Sequence, residues 1–201
     1  MHLITPPGID DTVLRVTADA LAAGAPLVQV RTKDHSDRVR LHNAGLVRER
    51  CATVGAVCLV NDRVDLAQAV HGDGVHLGDD DLPVDVARRI LGDAAIIGAT
   101  CRDPEAARRA ADAGASYLGV GPAYATSTKT GLPDPLGPAG IEAVATAVDL
   151  PVIAVAGVTV DRVAELLDAG ARGVAVVGAV YSAPDPAAAV DALLDALGGR
   201  P

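Results

Sequence analysis

Three stretches carry residue types whose spacing suits chemistry on phosphorylated ligands. The first is Gln29-Val30-Arg31-Thr32-Lys33, at the end of an apolar run. Side chains alternate along a strand, so Gln29, Arg31 and Lys33 share one face. Buried without partners, an amide and two cations would cost several kcal/mol. A bound pyrophosphate would compensate, and Arg and Lys suit it. If the strand frays at Arg31, both cations are simply solvated. The second stretch has two parts, Asn61-Asp62 and the acidic run Asp79-Asp80-Asp81 that follows His76-Leu77-Gly78. Mg²⁺ takes one or two carboxylates and completes its octahedron with phosphate oxygens and water. Asp62 with one acid of the run is a candidate pair. Asn61 and Asp62 can instead cap a helix, and two of the three acids are expected in a solvated turn. His76 reads as a hydrogen-bonded structural residue.

The third stretch runs from Gly119 to Gly131: Gly-Val-Gly-Pro-Ala-Tyr-Ala-Thr-Ser-Thr-Lys-Thr-Gly. Glycines let backbone N–H groups approach an anion. The hydroxyls of Thr126 and Thr128 and the ammonium of Lys129 add donors suited to phosphate. Alone, such a loop is ordinarily a polar surface turn. Thr100 offers a further hydroxyl or caps the helix beginning near Asp103. Gly157 and Val177-Gly178 follow two other apolar runs. They serve either as tight turns or as backbone donors to a phosphate.

These residues follow a regular series of elements. Apolar runs at 3–4, 27–31, 57–60, 74–77, 96–99, 117–120, 152–155 and 173–177 predict eight strands. Amphipathic segments at 10–23, 36–54, 64–70, 84–91, 104–113, 137–148, 160–169 and 184–197 predict the helices between them. Strand and helix in strict alternation mean parallel strands with crossover helices. The repeated Ala-Gly-Ala at residues 23–25, 113–115 and 169–171 marks helix ends with a left-handed glycine. Asp103-Pro104 and Asp185-Pro186 mark helix starts. Eight units predict one α/β domain over residues 1–201, a TIM (β/α)8 barrel, with a doubly wound open sheet as the alternative. A barrel places its site at the C-terminal ends of the strands, where each of these stretches falls.

Composition narrows the function. The 201 residues are half hydrophobic, with three Tyr and no Phe or Trp, so an aliphatic core is expected. The net charge of −9 argues against nonspecific binding of nucleic acid and against an anionic membrane surface. Cys51, Cys58 and Cys101 form no C-x-x-C pair and are odd in number. A disulfide framework is not expected, and a reducing cytoplasm is. No run reaches membrane-spanning length, and residues 1–7 lack the basic start and apolar middle of a signal peptide.

With these motifs assembled, the chain resembles the thiamine-phosphate synthase family over nearly its whole length. The Gly-Pro-x-Tyr-x-Thr-x-Thr-Lys run at 121–129 is the most specific match. Gln29 to Lys33, Asn61-Asp62, Asp73 to Asp81 and the glycine regions at Gly157 and Gly178 follow in the family's order. The resemblance implies a transferase of thiamine biosynthesis. It would couple hydroxymethylpyrimidine diphosphate to thiazole phosphate, the latter with or without a carboxylate, and release pyrophosphate. In such a reaction the diphosphate ionises to a pyrimidine cation that the thiazole nitrogen captures. It further implies that the run Gln29, Val30, Arg31, Thr32 and Lys33, with Asn61, Lys129 and Thr100, lines the pyrimidine diphosphate. Arg31, Lys33 and Lys129 would carry catalysis, and Asp62 and Asp81 would bind Mg²⁺. Thr126, Ser127 and Thr128, with Gly157, Val177 and Gly178, would hold the thiazole phosphate. A homo-oligomer is compatible with this reading. The chain departs from the family's pattern at Thr32 (commonly Glu), Asp79 (Gln), Thr100 (Ser), Ala156 (Gly) and Gly178 (Ser). The competing readings are a thiazole-phosphate isomerase, a non-catalytic phosphate sensor and a sugar-phosphate epimerase. Intact Asn61-Asp62 and Asp81, and Pro122 in the loop after the sixth strand, weigh against the first.

Overall fold

A computed structural model describes residues 1–33, 35–128 and 131–198. Its strands are β1 (His2–Ile4), β2 (Leu27–Val30), β3 (Val57–Asn61), β4 (Gly74–Leu77), β5 (Ile96–Cys101), β6 (Tyr117–Val120), β7 (Val152–Val155) and β8 (Gly173–Val176). All pair in parallel in chain order, and β8 closes on β1. Around them lie α1 (Asp11–Ala22), α2 (Asp37–Val54), α3 (Val64–Ala69), α4 (Val84–Leu91), α5 (Pro104–Asp112), α6 (Gly137–Ala145), α7 (Val163–Asp168), α8 (Gly178–Tyr181) and α9 (Pro186–Ala196). The closed barrel is the architecture that the alternation predicts. Two boundaries matter for the site. β2 stops at Val30, so Arg31 lies just beyond it, whereas β5 runs on through Thr100. The four-residue α8 escapes the sequence pattern, because its apolar residues continue the run of β8 without a break.

The helix ends follow their local chemistry. Asp10, Asp103 and Asp185 accept the N–H groups of Val13 (2.8 Å), Ala106 (2.8 Å) and Ala188 (3.0 Å) at the starts of α1, α5 and α9. Each such cap is worth about 1 kcal/mol. Gly24, Gly114 and Gly170 turn the chain back toward the next strand with φ of 97°, 93° and 88°.

Alternation splits the strands into two faces. Val28, Val30, Cys58, Val60, Val75, Leu77, Ile97, Leu118, Ala154 and Val174 point outward and are buried against the helices in one continuous aliphatic core. The aliphatic core expected from composition is this outward layer; the inward face, beside Leu59, is largely polar and aromatic. His2, Gln29, His76 and Tyr117 fill the barrel axis. His2 and Gln29 approach at 3.2 Å, His76 Nδ1 meets the Tyr117 hydroxyl at 2.9 Å, and His76 Nε2 meets Thr100 at 3.1 Å. The His76 and Tyr117 rings stack at 5.5 Å, and His2 meets Tyr117 edge-on at 5.7 Å. Space for the rings comes from glycine. Register places Gly98 level with both His76 and Tyr117. A Cβ on Gly98 would strike the Tyr117 ring and lie 2.5 Å from His76 Nδ1, and one on Gly119 would lie 2.8 Å from His76 Cε1. Among the described residues, no helix is long and apolar enough to cross a membrane.

Candidate active site at the C-terminal mouth of the barrel

The cationic side of the mouth is built on β2. Thr5, fully buried after β1, accepts the Arg31 N–H (2.8 Å) and donates to the Arg31 carbonyl (3.3 Å). These bonds fix Arg31 one residue beyond the strand. The Lys33 N–H donates to the Pro7 carbonyl at 3.2 Å, and the Lys33 ammonium lies 3.1 Å from an Asp62 carboxylate oxygen. Gln29, below them, is buried inside the barrel. Of the three residues that alternation groups, only Gln29 belongs to the strand, and the Lys33 ammonium reaches the mouth at Asp62. Val30 faces the helices with 1% exposure and offers the mouth only its main chain. Thr32 follows it, half-buried.

The acids converge from β3 and β4. Asp62 takes a left-handed backbone (φ 64°), and its N–H donates to the His76 carbonyl at 2.8 Å. Neither Asn61 nor Asp62 caps α3, whose capping position is Arg63. Arg63 instead turns outward to Asp37 (2.6 Å) and Asp65 (2.5 Å). Asn61 ends β3 in register with His76. In the acidic run, Asp79 and Asp80 are exposed, whereas Asp81 folds back to accept the Gly78 N–H at 2.6 Å. Burial, followed by the neighbouring Asp62 carboxylate, pushes the Asp81 carboxyl above its ordinary range. The Gly78 N–H and Lys33 pull the other way. Two facing carboxylates with one lysine leave surplus negative charge on hard oxygen donors, a set that fits Mg²⁺. No cluster of three or more acids, histidines or cysteines arises among the described residues. A cation here would take its other ligands from a substrate and water.

His76 links this side to β5. Burial pushes its imidazole down to about 4, against the pull of Asp62, so the ring is neutral near pH 7. Thr100 does not cap α5; Asp103 does, and the Thr100 hydroxyl bonds His76 instead. His2 is likewise lowered by burial, by His76 and by the N-terminal ammonium.

The loop after β6 forms the opposite side. Thr126 Oγ1 accepts the Thr128 N–H at 3.2 Å. A Cβ on Gly178 would lie 3.9 Å from Thr128 Oγ1, so this loop reaches the start of α8. Ser127 is exposed beside them, and the Val177 carbonyl accepts the first N–H groups that close α8. Gly157 has φ 67°, and a Cβ there would lie 2.7 Å from that of Tyr124. Only glycine fits both constraints. Ala156 beside it sits at φ 72°, a region costly for any residue with a Cβ. A cavity of about 370 Å³, lined in part by Pro122, Tyr124, Thr126, Leu132 and Asp134, opens against this loop. A cavity of about 400 Å³ lies at the other end of the barrel, among the strand starts near Val57, Asp73 and Ile96, away from the acids. Lys129 falls outside the described residues.

One mouth thus gathers Gln29, Arg31, Lys33, Asn61, Asp62, Asp81 and Thr100 on one side, and Thr126, Ser127, Thr128, Gly157 and Gly178 on the other. Sequence reasoning overlooked Thr5, His2 and Tyr117. A signal for the last two exists: each is a polar or aromatic residue at an inward position of an aliphatic strand. Thr5 carries none, since its role rests on a contact 26 residues away.

Residues 1–180 match the family model described as thiamine monophosphate synthase. The chain belongs to that family. A thiamine-phosphate synthase of Salinispora arenicola is 50% identical over 200 residues, covering 98% of this chain and 96% of the relative. One from Haloarcula marismortui is 46% identical over 189 residues, covering 92% and 90%. The solved thiamine phosphate pyrophosphorylase of Pyrococcus furiosus is 32% identical, with a TM-score of 0.88 over 98% of this chain and 94% of that one. Similarity to a 3-hexulose-6-phosphate synthase, at 16% identity and TM-score 0.72, extends to the fold alone. Membership in the thiamine monophosphate synthase family makes the chain a transferase.

Proposed function

We propose that this transferase, a thiamine-phosphate synthase by family, joins hydroxymethylpyrimidine diphosphate to thiazole phosphate at the barrel mouth described above. The observation that carries the assignment of roles is the convergence of Lys33, Asp62 and Asp81 opposite a loop whose Thr128 stands beside Gly178. One side suits a metal-linked diphosphate and the other a phosphate monoester. Arg31 and Lys33 hold the diphosphate, and Lys129 is assigned the same task. Gln29, Asn61 and Thr100 border the pyrimidine. Asp62 and Asp81 would hold Mg²⁺, which when bound neutralises charge on the departing pyrophosphate. Thr126, Ser127, Thr128 and the backbone at Gly157, Val177 and Gly178 hold the thiazole phosphate.

The reaction is a displacement. The bond between the pyrimidine methylene and the diphosphate oxygen breaks, and the electron pair leaves with pyrophosphate. The thiazole nitrogen lone pair then forms the new carbon–nitrogen bond. No proton is removed in either step, so no general base is required. The neutral His76 adds no positive charge beside the developing pyrimidine cation. We further place the reaction in the cytoplasm, in keeping with three free, buried cysteines.

The test is direct. Purified protein is mixed with both substrates and Mg²⁺, and pyrophosphate and thiamine phosphate are measured. Product that disappears with EDTA supports the reaction and the metal together. Binding of both ligands without product would refute catalysis and favour a phosphate sensor. Running the assay with carboxylated and uncarboxylated thiazole phosphate identifies the accepted form.

A further inference from the structure

The loop after β6 is anchored at its base. The Arg102 guanidinium donates to the carbonyls of Gly121 (3.1 Å) and Asp134 (2.9 Å). The N–H groups of Leu136 and Gly137 donate to the Pro122 and Ala123 carbonyls at 2.8 and 3.0 Å. None of these bonds reaches Thr126 or Thr128. Among the described residues, the Tyr124 side chain ties this outer part to the barrel. Its ring lies under the Arg162 guanidinium at 4.3 Å, and its hydroxyl donates to the Glu165 carboxylate. Arg162 also donates to the Gly157 carbonyl at 2.6 Å, and the Tyr124 N–H donates to the Ala156 carbonyl at 3.1 Å.

We propose that Tyr124, Arg162 and Glu165 form a latch that sets Thr126 and Thr128 against the Gly157–Gly178 side of the mouth, making Arg162 and Glu165 positioning residues for the thiazole-phosphate subsite. This deepens the synthase reading and rests on it. Arg162 touches both halves of the subsite: Gly157 through its carbonyl, and the threonine loop through the Tyr124 ring. The charges of Arg162 and Glu165 compensate each other around a tyrosine two residues before Thr126. The phenol is pushed up to about 12 by burial and by Glu165, so it remains a donor throughout the working pH range. The latch lies on the α7 side of the mouth, and Lys33, Asp62 and Asp81 lie on the other. Its loss therefore acts on one substrate and spares the second.

The experiment compares Arg162→Ala, Tyr124→Phe and Glu165→Gln with the wild type by steady-state kinetics and by hydrogen exchange at the Tyr124 amide. Arg162→Ala raises KM for thiazole phosphate about tenfold. Its kcat and its KM for the pyrimidine diphosphate stay within about twofold, and the Tyr124 amide exchanges about tenfold faster. Tyr124→Phe, which keeps the ring under Arg162, raises that KM about threefold. Glu165→Gln keeps an acceptor for the phenol and stays within about twofold of wild type. An unchanged thiazole-phosphate KM in Arg162→Ala, with an active wild type, overturns the latch. So does a uniform loss in kcat and both KM values accompanied by a lowered Tm, which marks general support of the fold. A wild type that makes no product refutes the synthase reading. The exchange rates then decide the latch separately: an unmoved Tyr124 amide overturns it, and a faster one upholds the physical link.

Discussion

Replacing Gly98 by Ala tests whether the ring stack fixes the interior of the barrel. The new methyl would strike the Tyr117 ring and approach His76 Nδ1 at 2.5 Å. Ordinary carbon contacts lie near 3.5–4.0 Å, so His76 must retreat by about 1 Å and the Tyr117 ring by about 1.5 Å. Neither has room, because His76 is held by Thr100 and Tyr117 while His2 sits edge-on against Tyr117. Overpacking costs about 1–3 kcal/mol, and each of the two hydrogen bonds broken costs about 1 kcal/mol. The expected loss is about 3–5 kcal/mol, or a Tm lower by about 6–20 °C for a chain of this size. Thermal melts followed by circular dichroism measure it. A loss below about 1 kcal/mol would show that the rings move freely and that the interior is not a fixed stack. The double variant Gly98→Ala/Tyr117→Leu supplies the control. With the ring shortened, the methyl has space, so the two changes should be less than additive by at least about 1 kcal/mol.

Three further outcomes follow from the mouth. The Asp81 carboxyl is raised in the folded chain, so the fold holds that proton more tightly than the unfolded chain does. Stability is therefore lost as pH rises from the unfolded value through the folded one. In EDTA, Asp81→Asn should melt higher than wild type at pH 7, with the gain shrinking as pH falls below the carboxylate range; a lower Tm at pH 7 would contradict the facing-carboxylate geometry. Ala156→Gly relieves a left-handed backbone at φ 72° and should raise stability by about 1 kcal/mol, or about 2–4 °C in Tm. A lower melting point would mean that no strain is stored there. Gly178→Ser places a hydroxyl where a Cβ has 3.9 Å of clearance to Thr128 Oγ1. One added bond to a charged phosphate should lower KM for thiazole phosphate about three- to tenfold, and an unchanged value would remove Gly178 from the phosphate site.

Much of this was legible in the sequence because its signals are local. Strand runs, the Asp caps at 103 and 185 and the glycines at 24, 114 and 170 depend on residues a few positions apart. The eight units and their closure follow from them. The mouth was legible for a related reason: every βα turn of a barrel opens to the same end. The selection among Asp79, Asp80 and Asp81 was not legible from spacing. It depends on the turn at Gly78 that folds one carboxyl inward, and only the family resemblance singled out Asp81. The polar interior was hidden for a different reason. His76 and Tyr117 become compatible only because Gly98 and Gly119, on neighbouring strands, leave the volume they occupy. Arg102 and Arg162 acquire meaning from carbonyls on other turns, which carry no side-chain signature at all.

The rings along the axis also govern traffic. They stop the barrel like a cork, so a molecule that enters at the mouth must leave by the same door. On the roles proposed, the pyrimidine rests near Gln29 and Thr100, at the depth of the cork, and the thiazole phosphate sits higher, under the threonine loop. On those roles the lower guest arrives before the upper one, and the two leave together, joined in one product. An order of loading then follows, on those roles, from the shape of the vessel, before any chemistry takes place in it.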